Sequence, residues 1–141
     1  MMLHKLSLLG HRACLESLVN ATSIEGGPRK RLRAAAYDFT FWHAKHHVTA
    51  RTIHYALHHL DEEHHAEVAQ VRRAIHGVVE GVIREGVAAG DFAVADASTA
   101  TLAILSMAID SSRWFPSRSM SDPAELAAHY AALVDRMVAA T

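Results

Sequence analysis

Apolar positions along this chain recur at helical spacing from end to end, and no stretch alternates with the two-residue period of a half-buried strand. The pattern predicts an all-α fold of six helices. The first covers about residues 3 to 20. ATSIEGGP, 21 to 28, ends it: Thr22 and Ser23 favour turns, and Gly26-Gly27-Pro28 breaks a helix. The second runs from about 29 to 46, with Leu32, Ala35, Phe39, Trp42 and His46 in one stripe. A short third covers about 48 to 59, with Ile53, Leu57 and Leu60 on one side. The fourth is long, about 62 to 89, and Val68, Val71, Ile75, Val78, Val82 and Gly86 trace its apolar face. Asp61 can cap it, Glu62 and Glu63 sit where the helix dipole favours negative charge, and Gly90 in EGVAAGDF marks its end. The fifth, about 96 to 113, has Asp96 for a cap. Its centre, LAILSMAI, is apolar nearly all round, so burial on more than one side is expected. SDPAE opens the sixth, with Asp122 as cap, Pro123 in the first helical position and Glu125 three residues after the cap.

The sixth helix has two apolar faces. Leu126, Tyr130, Leu133 and Met137 form one, and Ala127, Ala131, Val134 and Val138 the other. A terminal helix of a small domain hides one face in its own chain. The second face asks for a partner, most simply the same helix of a second copy.

Length and charge narrow the classes. At 141 residues, half of them apolar, the chain supports one domain with a real core. Fourteen Lys and Arg against fifteen Asp and Glu leave a net charge of −1, without the broad basic field of a nucleic-acid binder. Arg29, Lys30, Arg31 and Arg33 crowd the start of the second helix, where the dipole disfavours cations, and read as a solvated helix start. The single cysteine, Cys14, allows neither an internal disulfide nor CxxC zinc spacing, which fits a reducing, cytoplasmic setting. The apolar patch of MMLHKLSLLGHR is interrupted by His11 and Arg12, so no signal peptide is expected. ATLAILSMAI, 100 to 109, falls short of the ~20 residues that span a bilayer.

Histidine changes the picture most. HYALHHLDEEHH, 54 to 65, holds five of the twelve histidines beside three carboxylates. His54 and His58 stand four apart, as do His43 and His47, a spacing that lets two imidazoles of one helix share an ion. A carboxylate bundle needs Glu-x-x-His on two helices, and Glu62-x-x-His65 occurs once. His54 and His58 are therefore weak metal candidates, and no cofactor is expected. GxSxG, HExxH and glycine-rich phosphate loops are absent. Ser106 and Asp110, one turn apart, read as a buried hydrogen bond, and no enzyme is expected. A metal- or pH-responsive histidine-rich helical module is the alternative reading that these residues leave open.

VIREGVAAGDFAVAD, and then SSRWFPSRSMSDPAELAAHYAALVDRMVAA, resemble the C-terminal half of TetR-family transcriptional repressors. Gly86, Gly90 and Phe92 match a GxxxGxF helix end. Trp114, Phe115 and Pro116 match an aromatic pair before proline. Ser121, Glu125, Leu126, Tyr130 and Leu133 match the closing helix. The likeness covers about residues 28 to 141, the first helix more loosely, and is closest to members sensing acyl-CoA thioesters of fatty acids or steroid fragments.

The resemblance implies residues 1–141 as one ligand-binding and dimerisation domain. It implies an apolar, amphiphilic or acyl-CoA-like ligand inside the helical core. Ligand contacts are expected from Phe39, Trp42, His43, His46, Tyr55, Arg72, His76, Val79, Ile83 and Met107, with Arg51, Arg72 or Arg73 for a phosphate. A homodimer is expected through helices five and six, at Ile104, Ala108, Trp114, Leu126, Tyr130, Leu133, Val134 and Met137. The family's helix-turn-helix head has no counterpart here. HKLSLL, 4 to 9, resembles the opening of the helix that joins head to ligand domain, which makes residues 1–20 a remnant of it. On that reading this chain does not bind DNA specifically by itself.

Overall fold

The computed structural model describes residues 2–140; the ends of the expected 1–141 domain, Met1 and Thr141, lie outside the described residues. It contains α1 (Met2–Thr22), α2 (Pro28–Lys45), α3 (His47–Ala56), α4 (Glu62–Ala88), α5 (Ala97–Trp114) and α6 (Pro123–Val138), with a 3-10 turn at Leu57–His59. The expected all-α, six-helix order is what the chain adopts. Asp61, Asp96 and Asp122 each cap a helix, accepting from the backbone N–H of His64, Ser98 and Ala124 at 2.8, 3.1 and 3.0 Å. No helix among the described residues is long and apolar enough to cross a membrane.

Helix α2 is the central rod. It packs against all five other helices, most extensively along α6, while α5 and α6 barely touch each other. Its stripe of Leu32, Ala35, Ala36 and Phe39 joins Leu18 of α1, Ile75, Val79, Val82 and Ile83 of α4, Ile104, Leu105 and Ala108 of α5, and Val134 and Val138 of α6 in one core. A second cluster, Ala44, Phe115 and Leu126, closes the far end of α2.

The GVAAGDF stretch forms a Schellman ending. Asp91 N–H donates to Gly86 C=O at 2.9 Å and Gly90 N–H to Val87 C=O at 3.1 Å, with Gly90 at φ +83°. The chain then doubles back, so that the Phe92 ring packs against Gly86, leaving no room there for a Cβ. Ala93 N–H donates to Val138 C=O at 2.9 Å, and Ala140 N–H to Asp91 C=O at 3.3 Å. The end of α4 is thereby strapped to the end of α6.

Two expectations need correction. The basic start of α2 is paired, not merely solvated. Arg29 donates through Nε and Nη2 to the Asp135 carboxylate, each at 2.9 Å, Arg33 stands 3.7 Å from Asp135, and Arg31 reaches Glu85. Acids from α4 and α6 offset the unfavourable dipole, a long-range pairing that local sequence does not display. Nor does Ser106 bond to Asp110: both are exposed, and Asp110 instead accepts from Arg113 Nε at 2.8 Å.

The expected dimer residues separate into two groups. Ile104, Ala108, Leu126 and Val134 are at most 3% exposed and lie inside the chain's own core, not on a surface it can offer. α5 is apolar on most sides, so its pattern does not reveal which side meets α2. Trp114 and Tyr130 are half-buried, while Leu133 and Met137 remain 51% and 45% exposed on the outer face of α6.

Candidate functional site

A cavity of about 360 Å³ opens between α4 and α5 and runs inward to α1, α2 and α3. Spacing along each helix places its walls. His11 and Cys14 face it from α1, Phe39 and His43 from α2, and Ile53 and His54 from α3 with Leu57 just beyond. On α4, His65, Ala69, Arg72 and His76 follow one another at three- and four-residue steps with Arg73 beside Arg72, and α5 supplies Leu102, Leu105, Ser106 and Ile109. Exposed Leu102, Ser106, His65 and Arg73 form the rim; the deep end is polar.

That deep end is a hydrogen-bonded set centred on Arg72. A guanidinium only donates, so His11 Nε2 and His54 Nδ1 accept from Arg72 Nη1, at 3.0 and 3.2 Å. The remaining protons follow by elimination. His11 Nδ1 carries a hydrogen and donates to Ser7 C=O at 2.7 Å. His54, accepting at Nδ1, carries its hydrogen on Nε2 and donates to His43 Nε2 at 3.2 Å. His43 Nδ1–H donates to Phe39 C=O at 2.8 Å. Every nitrogen of the three imidazoles is used, and each ring is neutral.

Burial enforces that neutrality. His11 and His43 are 2% and 1% exposed. Loss of hydration lowers both to about 4, against a partly opposing hydrogen bond to backbone in each. His54 falls to about 2, through burial first and then the neighbouring His43, His11 and Arg72. Burial also pulls the Arg72 guanidinium below its ordinary value, though an arginine stays charged. Cys14 is pushed up by burial, which leaves it an unreactive thiol.

Of the expected ligand residues, the cavity brings together Phe39, His43, Arg72 and His76. His76 sits toward the opening, where Glu80 Oε1 accepts from its Nε2 at 2.9 Å. Val79 and Ile83 lie behind the wall, fully packed in the core. Trp42 packs edge-on against His43, and Met107 packs on the core without lining the cavity. His46 is exposed at the end of α2, and Tyr55 is 64% exposed with its ring tilted against that of His59. Arg51 donates to Ser112 C=O at 3.1 Å, and Arg73 stays at the rim.

Sequence reasoning misses His11 and Cys14, because α1 reads as a connecting remnant. The signal is present: Ser7, His11, Cys14 and Leu18 recur at four, three and four residues, and all are buried. His54 and His58 form a chelating pair by spacing alone. The α-helix ends at Ala56, and His58 lies exposed in the 3-10 turn while His54 turns inward to His43. The four-residue register that chelation requires is therefore lost. Among the described residues no group of three or more His, Cys, Asp or Glu has metal-holding geometry.

A helical bundle wrapped round one deep, largely apolar cavity with a few fixed polar groups is the architecture of a small-molecule-binding domain. The chain belongs to the tetracyclin repressor-like, C-terminal domain family, whose profile matches residues 25–138. It is similar to a bacterial regulatory protein in the tetR family from Rhodococcus RHA1, at 39% identity, TM-score 0.94, covering 99% of this chain and 73% of that one. The ketosteroid transcriptional regulator KstR2 of Mycobacterium tuberculosis shares the fold at 14% identity, TM-score 0.88, with 99% and 72% covered. So does AibR, solved in complex with isovaleryl coenzyme A and operator DNA, at 16% identity, TM-score 0.79, with 93% and 71% covered. No curated protein matches the chain.

Proposed function

We propose that this chain is the effector-binding and dimerisation domain of a TetR-like transcriptional regulator, with an apolar or amphiphilic small molecule as effector. The observation that carries the reading is the cavity itself: about 360 Å³, apolar along α5, and closed at its inner end by Arg72 and three neutral imidazoles. The likeness to members that sense acyl-CoA thioesters, and to AibR with its isovaleryl coenzyme A, supports an acyl-CoA as one such effector. Leu133 and Met137, left open on α6, support a homodimer joined through that face. The paired arginines at the start of α2 offer operator DNA little free charge, so DNA contact is not assigned to these residues.

Effector binding would act by shifting the population of core arrangements, and with it the relative placement of two subunits. Native mass spectrometry of gently purified, tag-free protein tests both parts together. The expected spectrum is a dimer carrying a small organic molecule that a cavity-filling Leu105→Trp variant no longer retains. A monomer at micromolar concentration defeats the dimer; equal retention by Leu105→Trp defeats the cavity as binding site.

A further inference from the structure

The guanidinium of Arg72 is only half used. Both of its bonds to histidine leave from Nη1, which exhausts that nitrogen's two hydrogens. The Nε–H and the two Nη2 hydrogens have no partner among the described residues, and neither atom is sealed from open space. This same Nε/Nη2 edge grips a carboxylate at two other arginines. Arg29 holds Asp135 by it, with both bonds at 2.9 Å, and Arg113 holds Asp110 by it at 2.8 and 3.3 Å. Arg72 lines a cavity whose walls carry no acid to meet that edge. Glu80 is occupied by His76 and Arg84, and Asp38 by Ser17.

Position and charge specify the missing group. Arg72 touches His11, which is 2% exposed, so its head belongs to the deep end and not the rim. A ligand that entered with its hydrocarbon foremost would press alkyl groups on an unpaired cation, an arrangement that burial makes costly. The surrounding imidazoles are neutral, so the deep end offers a single positive charge, which balances a monoanion and not a phosphate dianion. Leu105, Ile109 and Leu102 then line the way outward for an apolar tail.

We infer that the effector is an apolar monocarboxylic acid, bound head-first as its carboxylate on the Nε/Nη2 edge of Arg72. The inference rests on the proposed ligand-binding function and names the chemical class for that cavity. A coenzyme A thioester has no charge at its carbonyl, and its bulk would keep the nucleotide at the rim. The free acid is therefore the better complement.

Calorimetric titration with alkanoates from hexanoate to hexadecanoate, the matching alcohols, and decanoyl-CoA tests the inference. The best alkanoate should bind about tenfold or more tighter than its alcohol. Arg72→Gln should erase that preference, and Arg72→Lys, which keeps the charge without the fork, should restore part of it. Equal binding of acid and alcohol overturns the carboxylate site and leaves the cavity reading standing. Tighter binding of decanoyl-CoA, indifferent to Arg72→Gln, also overturns it. No binding by any of the series, with no molecule retained in native spectra, removes the ligand-binding reading itself. Should Arg72→Gln not fold, the acid-to-alcohol comparison on the parent protein and the Arg72→Lys variant decides.

Discussion

Acidification from pH 6.5 toward 4 should strip this domain of stability far more steeply than its small net charge implies. His11, His43 and His54 are held in the folded state below the ordinary imidazole value of 6.5, at about 4, 4 and 2. As pH falls, the unfolded chain takes up these protons first. The contribution is therefore whole above about 6.5, drains from there down to the folded values, and has the sign of stability rising with pH. With three protons bound by the unfolded state and none by the native one, the slope approaches about 4 kcal/mol per pH unit near pH 5. Urea denaturation midpoints across that range measure it. His54→Gln keeps a donor and an acceptor without titrating, and should lower the slope by roughly one proton, about 1.4 kcal/mol per pH unit. A parent slope below one proton would falsify the neutral-imidazole assignment.

Gly86→Ala should be the most damaging methyl group that can be added to α4. Its Cβ would overlap Phe92 Cδ2 and Cε2, and the ring belongs to the buried core. Either the helix end shifts or Phe92 leaves its seat. Overpacking of this kind costs about 1–3 kcal/mol, and losing a buried phenyl ring about 3–5. A fall in Tm of roughly 6–12 °C is expected by calorimetry. The control lies in the same helix: a Cβ at Gly81 meets nothing within 4 Å. Gly81→Ala should raise stability by about 0.5–1 kcal/mol through helix propensity alone. In a Phe92→Ala background the Gly86→Ala penalty should largely vanish, giving a coupling above about 1 kcal/mol. Full additivity would mean that ring and glycine do not meet in solution.

The same glycine shows what a chain of letters reveals and conceals. The six helices are legible because their caps and stripes are local: Asp61, Asp96, Asp122 and Gly90 each act within a few residues. Gly86 is visible as part of a motif, but its cause, a phenyl ring returning from Phe92, is a contact in space. The cavity is half legible. Phe39, His43, Arg72 and His76 lie beside apolar stripes, where amphipathic reasoning looks. His11 belongs to a helix whose packing depends on α3 and α4, and His54 meets it only because α3 packs on α1, while the change of pitch after Ala56 parts His54 from His58. Tyr55 fails for a related reason: helical phase on a ten-residue element is set by its neighbours, and α3 presents Tyr55 to solvent. The paired arginines of α2 depend on acids 54 and 106 residues further along, beyond any local pattern.

The polar set around Arg72 has a direction. Every N–H in it points away from the guanidinium, along one branch to the Ser7 carbonyl through His11 and along the other to the Phe39 carbonyl through His54 and His43. The imidazoles thus do for this cation what water does for an ion in solution, turning their lone pairs inward and their protons outward. Such a hydration shell made of side chains cannot be exchanged one member at a time. Replacing His43 strands the proton of His54, and replacing His54 strands Arg72. These positions should drift only together, and substitutions among them should combine far from additively.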